Sequence, residues 1–186
     1  LVGMTQPSAA TGCHTANQLI AYTARVSNPD NQNNPKTASK LLGYLIKHEH
    51  WSPFEMVSVT MEITTTRDIS RQIIRHRSFS FQEFSQRYAK STNFETRECR
   101  LQDEKNRQNS IETEDRELAE SWNMAQKAVI NAANDAYQWA LENGIAKEQA
   151  RAVLPEGNTE TTLYMSGTLR SWVHYCKLRR SNGTQK

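Results

Sequence analysis

Arg75, His76 and Arg77 stand together in the chain, two permanent cations on either side of a titratable imidazole. The ten residues that follow contain Ser78, Ser80, Gln82, Glu83, Ser85, Gln86 and Arg87, a run of hydroxyl, amide, carboxylate and guanidinium groups. A guanidinium fork matches the oxygens of a phosphate, and Ser or Gln side chains satisfy the donors and acceptors of a heterocycle. This composition fits a phosphorylated, base-bearing small molecule. Arg67, Arg71 and Arg75 fall at i, i+4 and i+8, along one face of a predicted helix. Like charges at that spacing repel by about 0.2–0.5 kcal/mol per pair, which a solvated face tolerates. The stripe alone therefore reads equally as a ligand surface or as a wet helix face.

A second cluster lies at His48-Glu49-His50-Trp51-Ser52-Pro53-Phe54-Glu55. His48 and His50 on one strand face, with Glu55 as a third group, have metal-ligand chemistry, but no further His stands at ligand spacing, so no metal is expected. The competing reading is a helix-to-strand junction with an aromatic anchor. Phosphate-binding glycine patterns (GxGxxG, GxxxxGK[ST]) are absent and there are only seven glycines, so side chains must hold any dinucleotide. The nucleophile elbow GxSxG is missing too. Cys13, Cys99 and Cys176 form no CxxC and sit beside no obvious base. That argues against structural zinc and covalent cysteine chemistry, and for a reducing, cytoplasmic setting.

The 23 Lys and Arg against 20 Asp and Glu leave a net charge of +3, unevenly spread. Residues 67–90 hold six basic and two acidic groups, a local +4; residues 170–186 hold five basic groups (Arg170, Lys177, Arg179, Arg180, Lys186) and no acid, a local +5. The remainder is 12 basic against 18 acidic, or −6. Two cationic segments in an acidic chain suggest anion sites. A nucleic-acid module using both segments is the competing reading, though broad basicity is lacking and Gln72, Glu83 and Ser85 interrupt the cations as in a pocket. A metal hydrolase using His48, His50 and His76 is a third. No apolar run approaches the roughly 18 residues of a membrane span, and no signal peptide opens the chain. Mean hydropathy is −0.77, yet 15 aromatics in periodic patterns argue for a folded chain. The 186 residues suit one domain, 1–186, and the start at Leu1 suggests that the N-terminus is truncated.

Several elements must position these groups. Thr15 to Val26 reads as a helix with Leu19, Ile20 and Val26 on its apolar side, followed by a turn-rich loop from Asn28 to Pro35. Thr37 offers an N-cap to a helix whose Ala38, Leu41, Leu42, Leu45 and Ile46 recur at helical spacing. Val57, Val59, Met61 and Ile63 alternate with polar residues, the clearest strand signal. Thr66 can cap the next helix, with Ile69 and Ile73 buried. Residues 78–90 read as loop or short extended structure, and Asn106 to Thr113 as a polar connection. A long helix from Asp115 to Asn143 places Leu118, Trp122, Ala125, Val129, Ala132 and Ala136 three or four apart, with Gly144 as its C′ residue. Lys147 to Leu154 is a shorter helix ending at Pro155, Thr161 to Met165 a strand, and Leu169, Trp172, Val173 and Cys176 mark a last helix. The expectation is one mixed α/β domain.

At RHRSFSFQEFSQRY (Arg75 to Tyr88) the sequence resembles the flavin-dependent thymidylate synthases, whose hallmark is Arg-His-Arg, seven residues, then Ser; Arg75-His76-Arg77 and Ser85 meet it. Four further blocks occur in the family's order: ARVSN (Ala24 to Asn28), HEHWSPFE (His48 to Glu55), ARAVLP (Ala150 to Pro155) and LRSWVHYCKLR (Leu169 to Arg179). The resemblance implies a mixed α+β fold with a central sheet flanked by helices, assembled as a homotetramer with active sites shared between subunits. It implies methylene transfer from 5,10-methylenetetrahydrofolate to C5 of dUMP, hydride delivery from reduced FAD to give dTMP, and NADPH as the reductant of the flavin. No nucleic acid and no membrane partner is implied. Family chains run on past Lys186, so part of the interface is expected to be missing.

Matched by motif position, the resemblance assigns Ser27, Ser52, Glu55, Arg75, His76, Arg77, Ser78, Glu83, Thr168, Arg170 and His174 to FAD. The family often has Asn where His174 stands, and Thr168 also replaces a commoner residue. The dUMP site would draw on Gln72, Arg75, Glu83, Phe84, Ser85, Gln86, Arg87, Arg151 and Arg179. The catalytic set would be Arg179, His50 and Ser85. His50 resembles the histidine bordering the flavin ring on the folate side. Arg179 resembles the arginine that activates the uracil ring, where a fixed guanidinium stabilises negative charge by about 2.7–4 kcal/mol per well-placed donor. Ser85 has no His or Lys base beside it in sequence and reads as a substrate-binding hydroxyl.

Overall fold

A computed structural model of the chain describes residues 1–90 and 93–180. Lys186, counted in the C-terminal cationic segment, lies outside the described residues. In chain order the elements are β1 (Gly3–Met4), α1 (Ala16–Ala24), α2 (Pro29–Gln32), α3 (Ala38–Lys47), β2 (Ser58–Thr66), α4 (Arg67–Ile73), β3 (Ser80–Glu83), β4 (Arg100–Gln102), β5 (Ser110–Glu112), α5 (Arg116–Glu142), α6 (Lys147–Ala150), β6 (Glu160–Thr168) and α7 (Leu169–Arg179). The mixed α/β class is as expected. One sheet has the order β1-β2-β6-β3, with β1 antiparallel to β2 and Gly3 opposite Thr60. Contacts divide the chain into two compact units: Leu1–Glu62, Arg77–Phe81 and Tyr164–Leu178 form the first; Ile63–His76, Gln82–Leu163 and the chain from Arg179 onward form the second. Strands β2, β3 and β6 each begin in one unit and end in the other.

In the first unit, Thr15 caps α1 as anticipated, its Oγ1 accepting from the Gln18 N–H at 3.3 Å. Ile20, Leu45, Phe54 and Val57 form the core, with Leu19, Leu41, Leu42 and Trp51 packed around it. Two expected core positions are not buried. Helix α1 ends at Ala24, so Val26 lies beyond it and is 70% exposed, and Ile46 faces outward on α3. The chain turns because Arg25 folds inward: it is buried, with Nη1 donating to Asn34 O at 2.5 Å and Nη2 to Thr37 Oγ1 at 2.7 Å. Thr37 therefore spends its hydroxyl on Arg25 and does not cap α3. The loop from Asn28 to Pro35 contains one helical turn, α2, with Pro29 at its first position.

His48 and His50 do not share a strand face. His48 ends α3, Glu49 takes a left-handed φ of 57°, and the His50 N–H returns to Leu45 O at 2.8 Å. The segment is a helix terminus, which the two histidines punctuate.

In the second unit, α4 is about two turns long. Ile74 N–H bonds Ser70 O and His76 N–H bonds Ile73 O, closing the helix before Arg75. The expected three-arginine helix face is thus only Arg67 and Arg71. Thr66 is fully buried but does not cap α4; its Oγ1 donates to Asp68 Oδ1 at 2.5 Å and accepts from Arg97. The stretch expected to be a connection holds strand β5, paired with β4 as a hairpin with Leu101 opposite Ile111. Asp103 closes its turn, accepting from the Lys105 and Asn106 N–H groups and from Asn109 Nδ2, bonds that hold its carboxyl below the usual range.

Asp115 caps α5 through the Leu118 N–H at 3.0 Å, and Gly144 follows its end at φ 77°. The face that α5 buries is Gln126, Ala133, Tyr137 and Ala140, which joins Ala150 and Leu154 in a second core with Phe94 and Leu141 against it. The apolar series read from the sequence points the other way: Leu118, Trp122, Ala125, Val129, Ala132 and Ala136 are all exposed. Among the described residues, no helix is long and apolar enough to cross a membrane.

Candidate functional site

The last residue of β3, Glu83, lies in the second unit and meets two hydroxyls there. Glu83 Oε1 accepts from Ser70 Oγ and from Thr161 Oγ1, each at 3.0 Å, and Arg67 Nη1 stands 3.6 Å away. Among the described residues none donates to Oε2. Phe84 donates its N–H to Thr162 O at 2.9 Å, so the chain leaves β3 still tied to β6 while the Phe84 ring stays exposed. A turn follows: Ser85 O accepts from the Tyr88 and Ala89 N–H groups, and Ser85 Oγ accepts from the Arg87 N–H at 3.4 Å. Among the described residues no His or Lys side chain hydrogen-bonds Ser85. Gln86 is 4% exposed, yet its amide Nε2 has no hydrogen-bond partner among the described residues. A buried donor left so costs about 1–3 kcal/mol.

This turn is fastened to α6. Arg87 Nε lies 3.3 Å from Glu148 Oε2, Lys147 Nζ donates to Tyr88 O at 3.0 Å, and Arg151 Nε donates to Glu148 O at 3.2 Å. Two expected site arginines, Arg87 and Arg151, thus converge on one residue, Glu148. Gln72 is half-buried on α4 and Arg75 is exposed just past it. His76 titrates below its ordinary 6.5, first because it is partly buried and second because the Arg179 guanidinium is near. Arg179 and His76 therefore share a neighbourhood within the second unit.

In the first unit, Glu55 Oε1 accepts from Arg170 Nη1, linking the turn after α3 to α7. Trp51 beside them takes His174 edge-on at 5.0 Å between ring centroids and the Lys177 ammonium over its ring at 4.6 Å. Thr168 Oγ1 accepts from the Ser171 N–H at 3.2 Å and so starts α7. Ser52, Arg77 and Ser78 are exposed. Ser27 lines a cleft of about 480 Å³ with Asn28, Asn31, Lys40 and Tyr44. His50 stands edge-on to Tyr44 at 6.1 Å.

Sequence spacing missed Ser70, Thr161, Glu148 and Glu156, because each comes from a different element from the residue it serves. A cleft of about 730 Å³ in the second unit, lined by Arg97, Arg107, Asn109, Trp122 and Gln126 among others, contains none of the expected site residues. Among the described residues no three His, Cys, Asp or Glu side chains cluster as metal ligands would. Within each unit the expected residues supply acceptors, donors and cations, chemistry suited to hydrogen-bonding and charge-pairing with polar anions.

A family model described as thymidylate synthase complementing protein matches residues 10–186. A probable flavin-dependent thymidylate synthase of Paramecium bursaria Chlorella virus 1 is 52% identical over 189 residues, covering 100% of this chain and 86% of the viral protein. The flavin-dependent thymidylate synthase of a Synechocystis strain is 55% identical over 168 residues, covering 90% of this chain and 77% of its own. Among solved structures, the UMP/dUMP methylase PolB of Streptomyces cacaoi bound with 5-Br dUMP superposes with a TM-score of 0.75 at 27% identity, over 94% of this chain and 73% of that one.

Proposed function

Because the chain belongs to the flavin-dependent thymidylate synthases, we propose that it methylates dUMP at C5, taking the methylene of 5,10-methylenetetrahydrofolate and releasing dTMP and tetrahydrofolate. When bound, FAD in its two-electron-reduced form would supply the hydride that completes the methyl group, and NADPH would reduce the oxidised flavin again. The observation that carries the reading at residue level is the Gln86 amide, buried one residue from Ser85 of the hallmark with no acceptor among the described residues. A nucleotide substrate brings carbonyl and phosphate oxygens that satisfy it.

The residues also fit the cofactor. Arg75 and Arg77 are exposed and, among the described residues, have no carboxylate partner, whereas Arg67, Arg71, Arg87, Arg97, Arg100 and Arg170 each have one. Free guanidinium groups flanking His76 suit the pyrophosphate of FAD. With Arg75, His76 and Arg77 we assign Ser27, Ser52, Glu55, Ser78, Glu83, Thr168, Arg170 and His174 to the flavin, and His50 to its folate side. The Glu55–Arg170 pair fixes one another's direction, and Trp51 holds His174 and Lys177.

For dUMP the assigned residues are Gln72, Arg75, Glu83, Phe84, Ser85, Gln86, Arg87, Arg151 and Arg179. Glu83 accepts a substrate donor, Ser85 and Gln86 meet polar atoms of the nucleotide, and Arg87 and Arg151 neutralise its phosphate. Arg179 stabilises the negative charge that the uracil ring develops as C5 becomes nucleophilic. Near neutral pH the depressed titration of His76 keeps its imidazole neutral, so it accepts or donates one hydrogen bond without adding a third cation.

The two units act as a single domain, a reading supported by one family model running through both. A homotetramer with shared active sites is supported by the exposed apolar series on α5, more apolar surface than an isolated helix face keeps in water. Three free cysteines support a reducing, cytoplasmic location.

The test is direct. Purified protein reconstituted with FAD should be yellow, bleach with NADPH without oxygen, and form dTMP from dUMP and methylenetetrahydrofolate. Colourless protein that takes up no FAD and yields no dTMP ends the reading.

A further inference from the structure

Two hydroxyls reach the same oxygen of Glu83 from elements far apart in the chain. Ser70 Oγ on α4 and Thr161 Oγ1 on β6 each donate to Oε1 at 3.0 Å. Ser70 is 0% and Thr161 2% exposed, so neither hydroxyl has water to turn to. A hydroxyl carries one proton, and both protons are spent on this carboxylate. Arg67, itself held by Glu156 at 3.5 Å, adds a cation 3.6 Å from Oε1. Oε2 receives nothing from the described residues. Glu83 is thus pinned through one oxygen and left with the other to offer.

A glutamate side chain ordinarily loses rotamer freedom when a ligand orders it, and fixing it beforehand removes that loss from the binding step. Hydroxyl donors suit this task, because they orient a carboxylate without neutralising it as a second close guanidinium does. We propose that Ser70 and Thr161 are positioning residues that hold Glu83 so that Oε2 accepts from a donor of the nucleotide substrate. The inference rests on the assignment of Glu83 to dUMP. The uracil and sugar of dUMP carry two such donors, the imide N3–H and the deoxyribose 3′-OH. Neither Ser70 nor Thr161 touches substrate in this scheme; both act through Glu83.

The experiment compares Ser70→Ala, Thr161→Val and the pair in FAD-loaded protein, reading the dUMP Kd by calorimetry and the Glu83 rotamer in ligand-free crystals. The pair should weaken dUMP about tenfold and spread Glu83 over more than one rotamer, while Thr161→Ser, which keeps the hydroxyl, binds as the parent does. In a Glu83→Gln background the pair should cost little further affinity, since the group it orients has already been changed. If the pair does not fold, Ser70→Ala alone should weaken dUMP about threefold by the same argument. Parental affinity in the pair, full additivity with Glu83→Gln, or a lowered Tm with an unmoved Kd overturns the proposal. Glu83→Gln that binds dUMP normally removes Glu83 from the substrate site and the proposal with it. A parent that binds no dUMP at all counts instead against the functional reading, and the rotamer comparison then decides the positioning claim by itself.

Discussion

Arg71 and Glu156 meet at two points, Nε to Oε2 at 2.5 Å and Nη2 to Oε1 at 2.9 Å, while Arg67 Nε stands 3.5 Å from the same Oε1. One carboxylate thus answers both guanidinium groups of α4 and removes the repulsion that their spacing implies. The Arg71 hydrogen bond holds Glu156 below the usual carboxylate range, against the opposing pull of burial. A depressed folded value means the stabilisation is complete above the ordinary 4.5 and disappears as pH falls through the lowered value. Both side chains are about half exposed, so the gain is on the order of 1 kcal/mol or less. Glu156→Gln should lower Tm by a few degrees at pH 7 and flatten its decline in acid. Identical Tm-against-pH curves for variant and parent would contradict this.

Gly167 and Phe79 are fitted to each other in the first unit. A Cβ at Gly167 would stand 2.5 Å from Phe79 Cδ1 and 2.8 Å from Cε1, closer than side-chain atoms can approach. The ring cannot slide away freely, since Trp172 and Tyr175 pack edge-on against it at 4.9 and 5.8 Å. Gly167→Ala should therefore destabilise by about 1–3 kcal/mol. Phe79 follows Arg77 and Ser78 directly, so FAD content should fall as well. Adding Phe79→Leu should recover most of the Tm, and a single variant with parental Tm and flavin content would show that the ring moves at no cost.

The secondary structure was largely legible where one residue's chemistry decides it: Thr15 and Asp115 cap their helices, and Gly144 ends α5. Thr37 and Thr66 carry the same signal and fail, because Arg25 and Arg97 come from elsewhere in the chain to claim their hydroxyls. No local rule contains that competition. The β4–β5 hairpin was hidden because its turn is made by Asp103 and Asn109, whose polar surroundings read as a connection. Within the site, the motif residues were visible by type and order, but Ser70, Thr161 and Glu148 act through contacts that only the fold creates. The apolar period of α5 marks a true helix, but periodicity locates a face without saying what covers it.

That face is itself testable. Leu118, Trp122, Val129 and Trp139 are 43%, 44%, 54% and 61% exposed, and Ala125, Ala132 and Ala136 stand among them at steps of three and four. Large and small side chains mixed at this spacing suit close packing against another helix. Trp122→Glu or Val129→Glu should shift the protein to a smaller species by light scattering and reduce dTMP formation in step. On an isolated solvent-facing helix the same changes would alter surface charge alone, leaving mass and activity at the parental values.

Arg179 carries two separable predictions, one electrostatic and one catalytic. His76 titrates below 6.5 first through burial and then through the charge of Arg179. Removing that charge leaves burial in place, so Arg179→Ala should raise the His76 titration toward 6.5 without reaching it, while Arg179→Lys should leave it low; ring resonances followed by NMR give both values. The sign of the stability effect follows. The fold disfavours the imidazolium, so the contribution is present above the ordinary histidine value and is lost as pH falls through the lowered one, and Arg179→Ala should shrink that loss. Catalysis separates from this. A group that stabilises charge on the uracil ring acts in the transition state, so Arg179→Ala should cut kcat by 10²-fold or more, the order of one well-placed donor, with FAD content nearly intact. Equal loss of kcat and bound flavin would make Arg179 a cofactor-holding residue instead, and an unmoved His76 titration would remove it from that histidine's surroundings.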